Sequence, residues 1–213
     1  MRKREAQQLL KLLVMNSKLE EKRRHLMNWQ FDAGHTQIGF TGRHLMVATV
    51  RGQFEKFSGT VEFDEHDLTH SRVDIQIEAA SVNTHNAQRD DHFRSADFFD
   101  VEHFPYITFK SRQVNMHDEH HGQLVGVLTI RNITREVVLE GEYSGVSQSP
   151  WNTYSAGFSL RGKVNRKDWG LNWNMVLAGG GLVASDEITL TIDLELTSPA
   201  ETSQLSQTTE ALA

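Results

Sequence analysis

The sequence predicts an all-β protein built as an eight-stranded antiparallel β-barrel, with a short helical insertion and an N-terminal helical arm. Three observations predict it. Apolar and polar residues alternate through most of the chain, one internal segment breaks that alternation, and residues 1–27 show helical spacing instead. With 213 residues the chain is long enough for one barrel with extensions. We therefore expect an arm at 1–27, a barrel at 28–197 and a disordered tail at 198–213.

The composition excludes several classes of protein. Hydrophobic residues make up 38% and charged residues 23% of the chain, as in ordinary globular domains, and no cysteine is present to form disulfides or thiolate metal sites. Residues 1–28 carry eight Lys or Arg against three Asp or Glu, whereas residues 29–213 carry fourteen against twenty-five. The acidic barrel lacks the basic stripe of a nucleic-acid-binding surface, so we expect no nucleic-acid partner.

The arm has the spacing of an amphipathic helix, with Ala6, Leu9, Leu10 and Leu13 recurring at steps of three and four. Its apolar stretch is interrupted by Lys11 and no small-residue cleavage site follows, which does not fit a secretory signal. We therefore expect a cytoplasmic protein. Two interpretations of the arm stay open: a helix that makes transient contact with a membrane surface or a partner, and a solvated extension.

The barrel strands are predicted from alternation. The clearest is 188–197, and alternation also marks 73–78 and 158–164. Further strands are expected at 36–40, 53–57, 59–63, 106–112, 123–130 and 135–143, with turns at 56–59, 117–122, 131–132 and 148–150. A barrel of eight strands is either filled by its own side chains or holds one small ligand, and both interpretations stay open here. In the hollow case, inward apolar residues would contact the ligand: Ile75, Ile77, Phe109 and Phe158.

Residues 83–105 break the alternation and are rich in phenylalanine. Phe93, Ala96 and Phe99 have helical spacing, which predicts one or two short helices over an end of the barrel. These aromatic residues form either a lid over a ligand or a plug that completes the core. The charged residues of the segment, such as Arg89 and Asp90, either bind a ligand head group or anchor the helices.

Several runs of residues resemble the YceI family of polyisoprenoid-binding proteins: WQFDAGHTQIGFTGRHLMVATVRGQFEKFSGTVEFD, RDDHFRSADFFDVEHFPYITFKS, GVLTIRNITREVVLEGEY and RKDWGLNWN. The resemblance covers about residues 28–197. It implies a lipocalin-like barrel that encloses an isoprenoid or similar long-chain lipid without catalysis, with no cofactor beyond that lipid, and often a homodimer. The motif positions implied to bind ligand are polar at His35, Arg89, Asp90 and His92, and aromatic at Phe40, Phe93, Phe98, Phe99 and Trp169.

The function predicted from these features is non-catalytic binding, storage or transport of a long-chain isoprenoid or other amphiphilic lipid. The alternative is an enzyme acting on a lipid-like substrate, with His92 as acid or base and Asp90 or Asp97 orienting it. The HDEHH run at 117–121 contains three imidazoles and two carboxylates, but it lies at an expected hairpin tip without a known metal-ligand spacing. We interpret it as a solvated loop and expect no metal site.

Overall fold

The computed structural model describes residues 28–45, 47–176 and 183–199. The predicted arm at 1–27 and residues 200–213 of the predicted tail lie outside the described residues. The first two residues of the predicted tail, Ser198 and Pro199, instead belong to the last strand, where Ser198 is buried against its neighbours. Within the described ranges there is one α-helix, α1 (Ala87–Arg94). The strands are β1 (Gln30–Phe31), β2 (Gln37–His44), β3 (Ala48–Phe54), β4 (Phe57–Glu62), β5 (Arg72–Glu78), β6 (Val82–Asn83), β7 (Tyr106–Met116), β8 (His121–Ile130), β9 (Ile133–Gln148), β10 (Thr153–Asn165) and β11 (Glu187–Pro199).

A single antiparallel sheet contains all of these strands in the order β4-β5-β7-β8-β9-β10-β11-β2-β3-β6, with β1 paired to β11. The sheet curls around an apolar core, so the all-β antiparallel prediction is confirmed. In the part of the chain that the structure describes, nine strands have six residues or more, rather than eight. Near α1 the Glu55 amide donates to the Ser81 carbonyl (3.2 Å) and the Glu78 amide to the Lys56 carbonyl (3.0 Å), which ties the two ends of the sheet together.

The register places one row of each strand on the inner face. On β11, Leu190 lies opposite Phe40 of β2 and Gly162 of β10. Because side chains alternate between faces, every second residue of a strand shares the inner face. The inner rows of β5, β7, β8 and β9 supply most of the buried core: Ile75, Ile77, Ile107, Phe109, Leu128, Val137 and Leu139.

The prediction was wrong between residues 48 and 59. A strand was expected at 53–57 and a turn at 56–59, but β3 already begins at Ala48, the turn lies at 55–56, and β4 runs through Gly59. Gly59 therefore lies within a strand rather than in a turn. Only glycine fits there, because a side chain at this position would collide with the Asp74 carbonyl of β5. The turn at 131–132 is confirmed, since Arg131 and Asn132 both have positive φ, as a tight hairpin turn requires.

The helical insertion covers one end of the sheet, as predicted, with a single helix followed by turns. The Asn86 side chain caps α1 by accepting a hydrogen bond from a backbone amide of the first turn (3.0 Å). Arg94, the last residue of α1, donates to the Val82 carbonyl (3.1 Å), and Arg131 of the β8–β9 turn donates to the Phe98 carbonyl (3.2 Å). Two arginines therefore hold the insertion against the sheet.

Candidate ligand-binding site

The curled sheet encloses an open cavity of about 1320 Å³, its mouth included, which we call the main cavity. Its lining is apolar except for Arg166. The inner-face residues Ile188, Leu190 and Ile192 remain half-buried because they face this space, so the interior is hollow rather than filled. Eight of the residues predicted to contact ligand line it: Phe40, Ile75, Ile77, Phe93, Phe98, Phe99, Phe109 and Trp169.

An aromatic cluster forms the lid of the main cavity. The Phe93 ring on α1 lies edge-on to Phe98 (centroids 4.9 Å apart) and to Phe40 of β2 (6.0 Å). Phe99 contacts Phe54 at the end of β3 (5.6 Å). Edge-to-face packing of this kind adds about 0.5–1.5 kcal/mol per pair beyond burial. These aromatic residues pack against one another and also line the main cavity, so packing and cavity lining are combined in the same segment.

Trp169 and Arg166 lie in the short helical turn after β10 and line the same end of the cavity. Trp169 is 2% exposed, and its indole N–H donates to the Leu128 carbonyl (3.0 Å). The Arg166 guanidinium donates to the Ser185 carbonyl (2.9 Å) and to Asp186 (3.2 Å). Burial lowers the pKa of Arg166 from its usual value, and the Asp186 carboxylate opposes that shift. This arginine is therefore held in place by the protein itself.

A second cavity, here called the vestibule, adjoins the lid and shares Phe40, Phe93, Phe98, Arg166 and Ile188 with the main cavity. Its lining carries three arginines and two histidines: Arg43, Arg89, Arg166, His44 and His92. Within the described residues, no Asp or Glu contributes to this lining. The vestibule is therefore a cationic surface placed directly beside an apolar cavity.

Arg89 and Asp90 are brought together by a shared partner, Thr84. Asp90 is 7% exposed and accepts hydrogen bonds from the Thr84 amide (2.8 Å) and hydroxyl (2.5 Å). Arg89 Nε donates to the Thr84 hydroxyl (2.7 Å) and its terminal nitrogen to the Thr84 carbonyl (2.8 Å). Asp90 does not line the main cavity or the vestibule, whereas Arg89 lines the vestibule.

His92 faces the vestibule from the same helix. Its Nε2 lies 3.0 Å from Asp97 Oδ2, and its ring is edge-on to Trp173 (4.5 Å) and Phe98 (5.0 Å). Of the two carboxylates proposed to orient His92, Asp97 is in place and Asp90 is occupied by Thr84. Ser95 donates its hydroxyl proton to the His92 carbonyl (2.7 Å), so this hydroxyl is not aligned on the imidazole as a nucleophile would be.

His35 lies apart from these cavities, in the exposed turn before β2. Its Nδ1 is 3.0 Å from Asp32 Oδ2, and this hydrogen bond raises the pKa of His35 and lowers that of Asp32. Glu195 offers a further oxygen, and the three potential metal-ligand atoms lie within 4.8 Å of one another. Composition and spacing did not point to this group, because Glu195 is distant in sequence.

The opposite end of the interior contains a third cavity, of about 670 Å³ with its mouth, which we call the distal cavity. Phe158, the remaining aromatic residue predicted to contact ligand, lies here and stacks on Tyr143 (centroids 5.0 Å apart, planes at 25°). Phe63 lies edge-on to Phe158 (5.5 Å). Burial raises the pKa of Tyr143 to about 12. Tyr143 was missed, although the alternation along β9 predicts that it faces inward.

The HDEHH run forms the hairpin tip between β7 and β8. Asp118 accepts hydrogen bonds from the backbone amides of His120 and His121 (2.8 Å each), and these bonds hold its pKa at about 2. The side chains of Asp118 and His121 are both 59% exposed. The tip is thus a solvated turn organised by one carboxylate, as predicted.

Comparison with known proteins agrees with this architecture. The sequence profile of the YceI-like domain family matches residues 29–196. The chain belongs to the YceI family. A UPF0312 protein of Staphylococcus aureus (strain N315) is 35% identical over 164 residues, which cover 76% of this chain and 93% of that protein. The family resemblance seen in the sequence motifs is therefore confirmed.

Solved structures of YceI proteins share the fold. The YceI protein of Campylobacter jejuni matches with a TM-score of 0.64 and 32% identity over 72% of this chain and 87% of its own. A polyisoprenoid-binding domain from Saccharophagus degradans, implicated in plant cell wall breakdown, matches with a TM-score of 0.58 and covers 81% of this chain and 99% of its own. At 14% identity that second likeness establishes the fold alone. Among the described residues no helix is long and apolar enough to cross a bilayer.

Proposed function

We propose that this protein binds a long-chain isoprenoid or similar amphiphilic lipid in its interior, for storage or transport, and does not catalyse a reaction on it. The observation that carries the proposal is the apolar main cavity, which opens beside the cationic vestibule. An apolar chain gains about 0.8 kcal/mol per CH₂ group removed from water, so an apolar interior of this size favours a long tail. The polyisoprenoid-binding domain of the same fold is consistent with such a ligand.

The vestibule supplies the head-group end. Arg89 is fixed by Thr84, and Arg43 makes no side-chain hydrogen bond or ion pair with a described residue, so its guanidinium is available to a ligand. Guanidinium groups bind phosphate through paired, charge-assisted hydrogen bonds. An anionic head group such as a prenyl phosphate therefore fits this end better than a neutral one. His92 lies on the same wall and provides a further polar contact.

A second candidate function rests on one contact, the 3.0 Å distance between His92 Nε2 and Asp97 Oδ2. A carboxylate that orients a histidine is a common element of acid–base catalysis. In this function His92 would act on the head group of a lipid-like substrate held in the vestibule. Comparing lipid retention with turnover in a His92 variant separates the two functions.

The experiment that tests the proposed function is extraction of the purified protein with organic solvent, followed by mass spectrometry of the extract. Val137 and Val138 offer a matched pair on β9, because Val137 lines the main cavity whereas Val138 is 44% exposed on the outer face. We expect an isoprenoid in extracts of the wild type and of Val138→Trp, and much less in Val137→Trp. Repeated extracts without lipid, together with no binding of added prenyl phosphate, would contradict the proposal.

A further inference from the structure

The main and distal cavities are two parts of one interior. On β11 the inner row runs from Ile188 through Leu194 in the main cavity and continues to Leu196 in the distal cavity. On β9 the same inner row passes from Leu139 in the main cavity to Tyr143 in the distal cavity. Because residues two apart share a face, both cavities lie on the inner side of the same sheet, one after the other along the strands.

Four side chains line both cavities and therefore stand between them: Val73, Leu124, Leu160 and Leu194. We call these four residues the partition. They come from four different strands, and each is half-buried because it faces open space on the inner side. A molecule that fills the main cavity can continue into the distal cavity only by passing the partition.

We propose that the partition is a chain-length gate: the main cavity holds the isoprene units next to the head group, and only longer tails pass Val73, Leu124, Leu160 and Leu194 into the distal cavity. This inference rests on the proposed function and specifies its substrate class. It predicts that the protein prefers prenyl chains too long for the main cavity alone. Short prenyl chains leave the distal cavity empty and bury less apolar surface.

The geometry of the strands gives an estimate of how many isoprene units each part of the interior can hold. The six residue steps from Ile188 to Leu194 correspond to about 20 Å along β11, and the eight steps to Leu196 correspond to about 27 Å. Barrel strands tilt by about 35–45° from the barrel axis, which reduces these lengths to about 15 and 21 Å. An extended hydrocarbon advances about 1.25 Å per carbon, from bonds of about 1.5 Å at near-tetrahedral angles. With four main-chain carbons per unit, the main cavity takes about three isoprene units and the whole interior about four.

One residue of the partition, Leu160, packs over a glycine of the neighbouring strand. Leu160 lies across from Gly141 of β9, where an added Cβ would come within 2.7 Å of Leu160 Cδ2. The glycine therefore accommodates the Leu160 side chain at the point where the two cavities meet. Leucine and valine side chains can change rotamer to let a flexible chain pass, whereas a phenylalanine at the partition would fill the passage.

The two ends of the interior fix the direction of the ligand. The vestibule is lined by three arginines, whereas the distal cavity is lined by one, Arg72, together with the acidic Glu142, so the head group belongs at the vestibule end. At the other end, the stacked pair of Tyr143 and Phe158 presents aromatic surface to the tail. A tyrosine hydroxyl is neutral at physiological pH, and burial raises the pKa of Tyr143 further, so this pair offers no charge to a phosphate. The tail therefore enters past the lid and reaches the partition from the main cavity.

The test compares farnesyl monophosphate, with three units, and geranylgeranyl monophosphate, with four, in binding titrations of protein stripped of lipid. Both probes carry the same head group, so the ratio of their affinities reports on the tail. The variants are Val73→Phe, which narrows the partition, and Val73→Ala, which widens it. Val138→Phe makes the same substitution as the first variant on the exposed outer face.

We expect the wild type and Val138→Phe to prefer the four-unit probe. In Val73→Phe, four-unit affinity should fall by about tenfold or more, since the carbons beyond the partition are no longer buried, while three-unit affinity changes less than about threefold. That retained affinity also shows that the variant is folded. Val73→Ala should keep or increase the preference. An unchanged affinity ratio in both Val73 variants would overturn the gate while leaving the proposed function intact, whereas failure of the wild type to bind either probe would overturn both.

Discussion

The carboxylate of Asp90 accepts two hydrogen bonds from Thr84, one from the backbone amide at 2.8 Å and one from the hydroxyl at 2.5 Å. Thr84 follows β6 and Asp90 lies within α1, so this pair joins the helix of the lid to the edge of the sheet. Both residues are buried. Asp90, which the family motif marks as ligand-binding, thus stabilises the attachment of α1 to the sheet. Its neighbour in sequence, Arg89, lines the vestibule.

Replacing Asp90 by Ala should lower the free energy of unfolding by about 2–6 kcal/mol, because two buried donors of Thr84 lose their acceptor at about 1–3 kcal/mol each. Urea denaturation measures this change. Asp91→Ala is the matched control, since Asp91 is 76% exposed and pairs with Arg94 at the surface, and it should cost less than about 1 kcal/mol. Wild-type stability in Asp90→Ala combined with lost lipid binding would assign Asp90 to the ligand instead.

Replacing Arg43 by Gln should weaken binding of a prenyl phosphate by about fivefold and leave the matching prenyl alcohol unaffected. The expected loss corresponds to about 1 kcal/mol for a solvent-exposed charge pair, and it should shrink as salt is added. Arg161→Gln, on the exposed outer face of β10, is the control. Equal losses for the phosphate and the alcohol would argue against an anionic head group in the vestibule.

Replacing His92 by Asn should preserve lipid retention within about threefold, and the wild type should release no altered product from bound prenyl phosphate. Asparagine stays polar but is too short to reach Asp97 as His92 Nε2 does. In the proposed function the arginines of the vestibule bind the head group, so binding depends little on the imidazole. Retention is measured by mass spectrometry of extracts and turnover by chromatography of the incubated lipid. Turnover in the wild type that disappears in His92→Asn, with retention unchanged, would establish the enzymatic function.

The Asp118 carboxyl should titrate with a midpoint near pH 2 in the folded protein. Since its pKa is lowered from 3.8, its contribution to stability is present above about pH 3.8 and is lost as the pH falls through about 2. The carboxyl chemical shift, followed by NMR between pH 6 and 1.5, measures the midpoint, and Asp118→Asn identifies the resonance. A midpoint close to 3.8 would mean that the two amide hydrogen bonds at the hairpin tip do not persist in solution.

A strand could be predicted from the sequence where its inner face is buried and its outer face is exposed along most of its length, because apolar and polar residues then alternate. β11 pairs with β10 over its whole length and, on its other side, with β2 at 189–193 and with β1 at 196–197. Its inner row is apolar from Ile188 to Leu196, and only Ser198 at its end is polar and buried. β3 was misplaced because its inner row contains Gly52. A side chain there would collide with the Phe40 ring, so β2 supplies the apolar group that β3 lacks. The alternation within β3 cannot reveal that the space over Gly52 is occupied by a side chain of the neighbouring strand.

The aromatic lid could be predicted from the break in alternation and the many phenylalanines at 83–105. The helical spacing of Phe93, Ala96 and Phe99 did not locate the helix, because α1 ends at Arg94 and contains only Phe93 of the three. The vestibule could not, because Arg43 at the end of β2 and Trp173 after β10 meet only through tertiary structure. The separate roles of Arg89 and Asp90 depend on their bonds to Thr84, which adjacent positions in a motif do not reveal. His35 matches a family motif, but its observed partner is Asp32, and its contact with a ligand stays a prediction.

A hydrocarbon bound in the open interior is expected to stabilise the folded protein. Inner rows of most strands face the main cavity, so a hydrocarbon that occupies it becomes a shared packing partner for elements far apart in the chain. Binding to the native state alone raises the free energy of unfolding in proportion to the logarithm of ligand concentration. Stripped and loaded preparations are therefore expected to melt at different temperatures, and a two-step thermal transition in a fresh preparation would report partial loading rather than two domains.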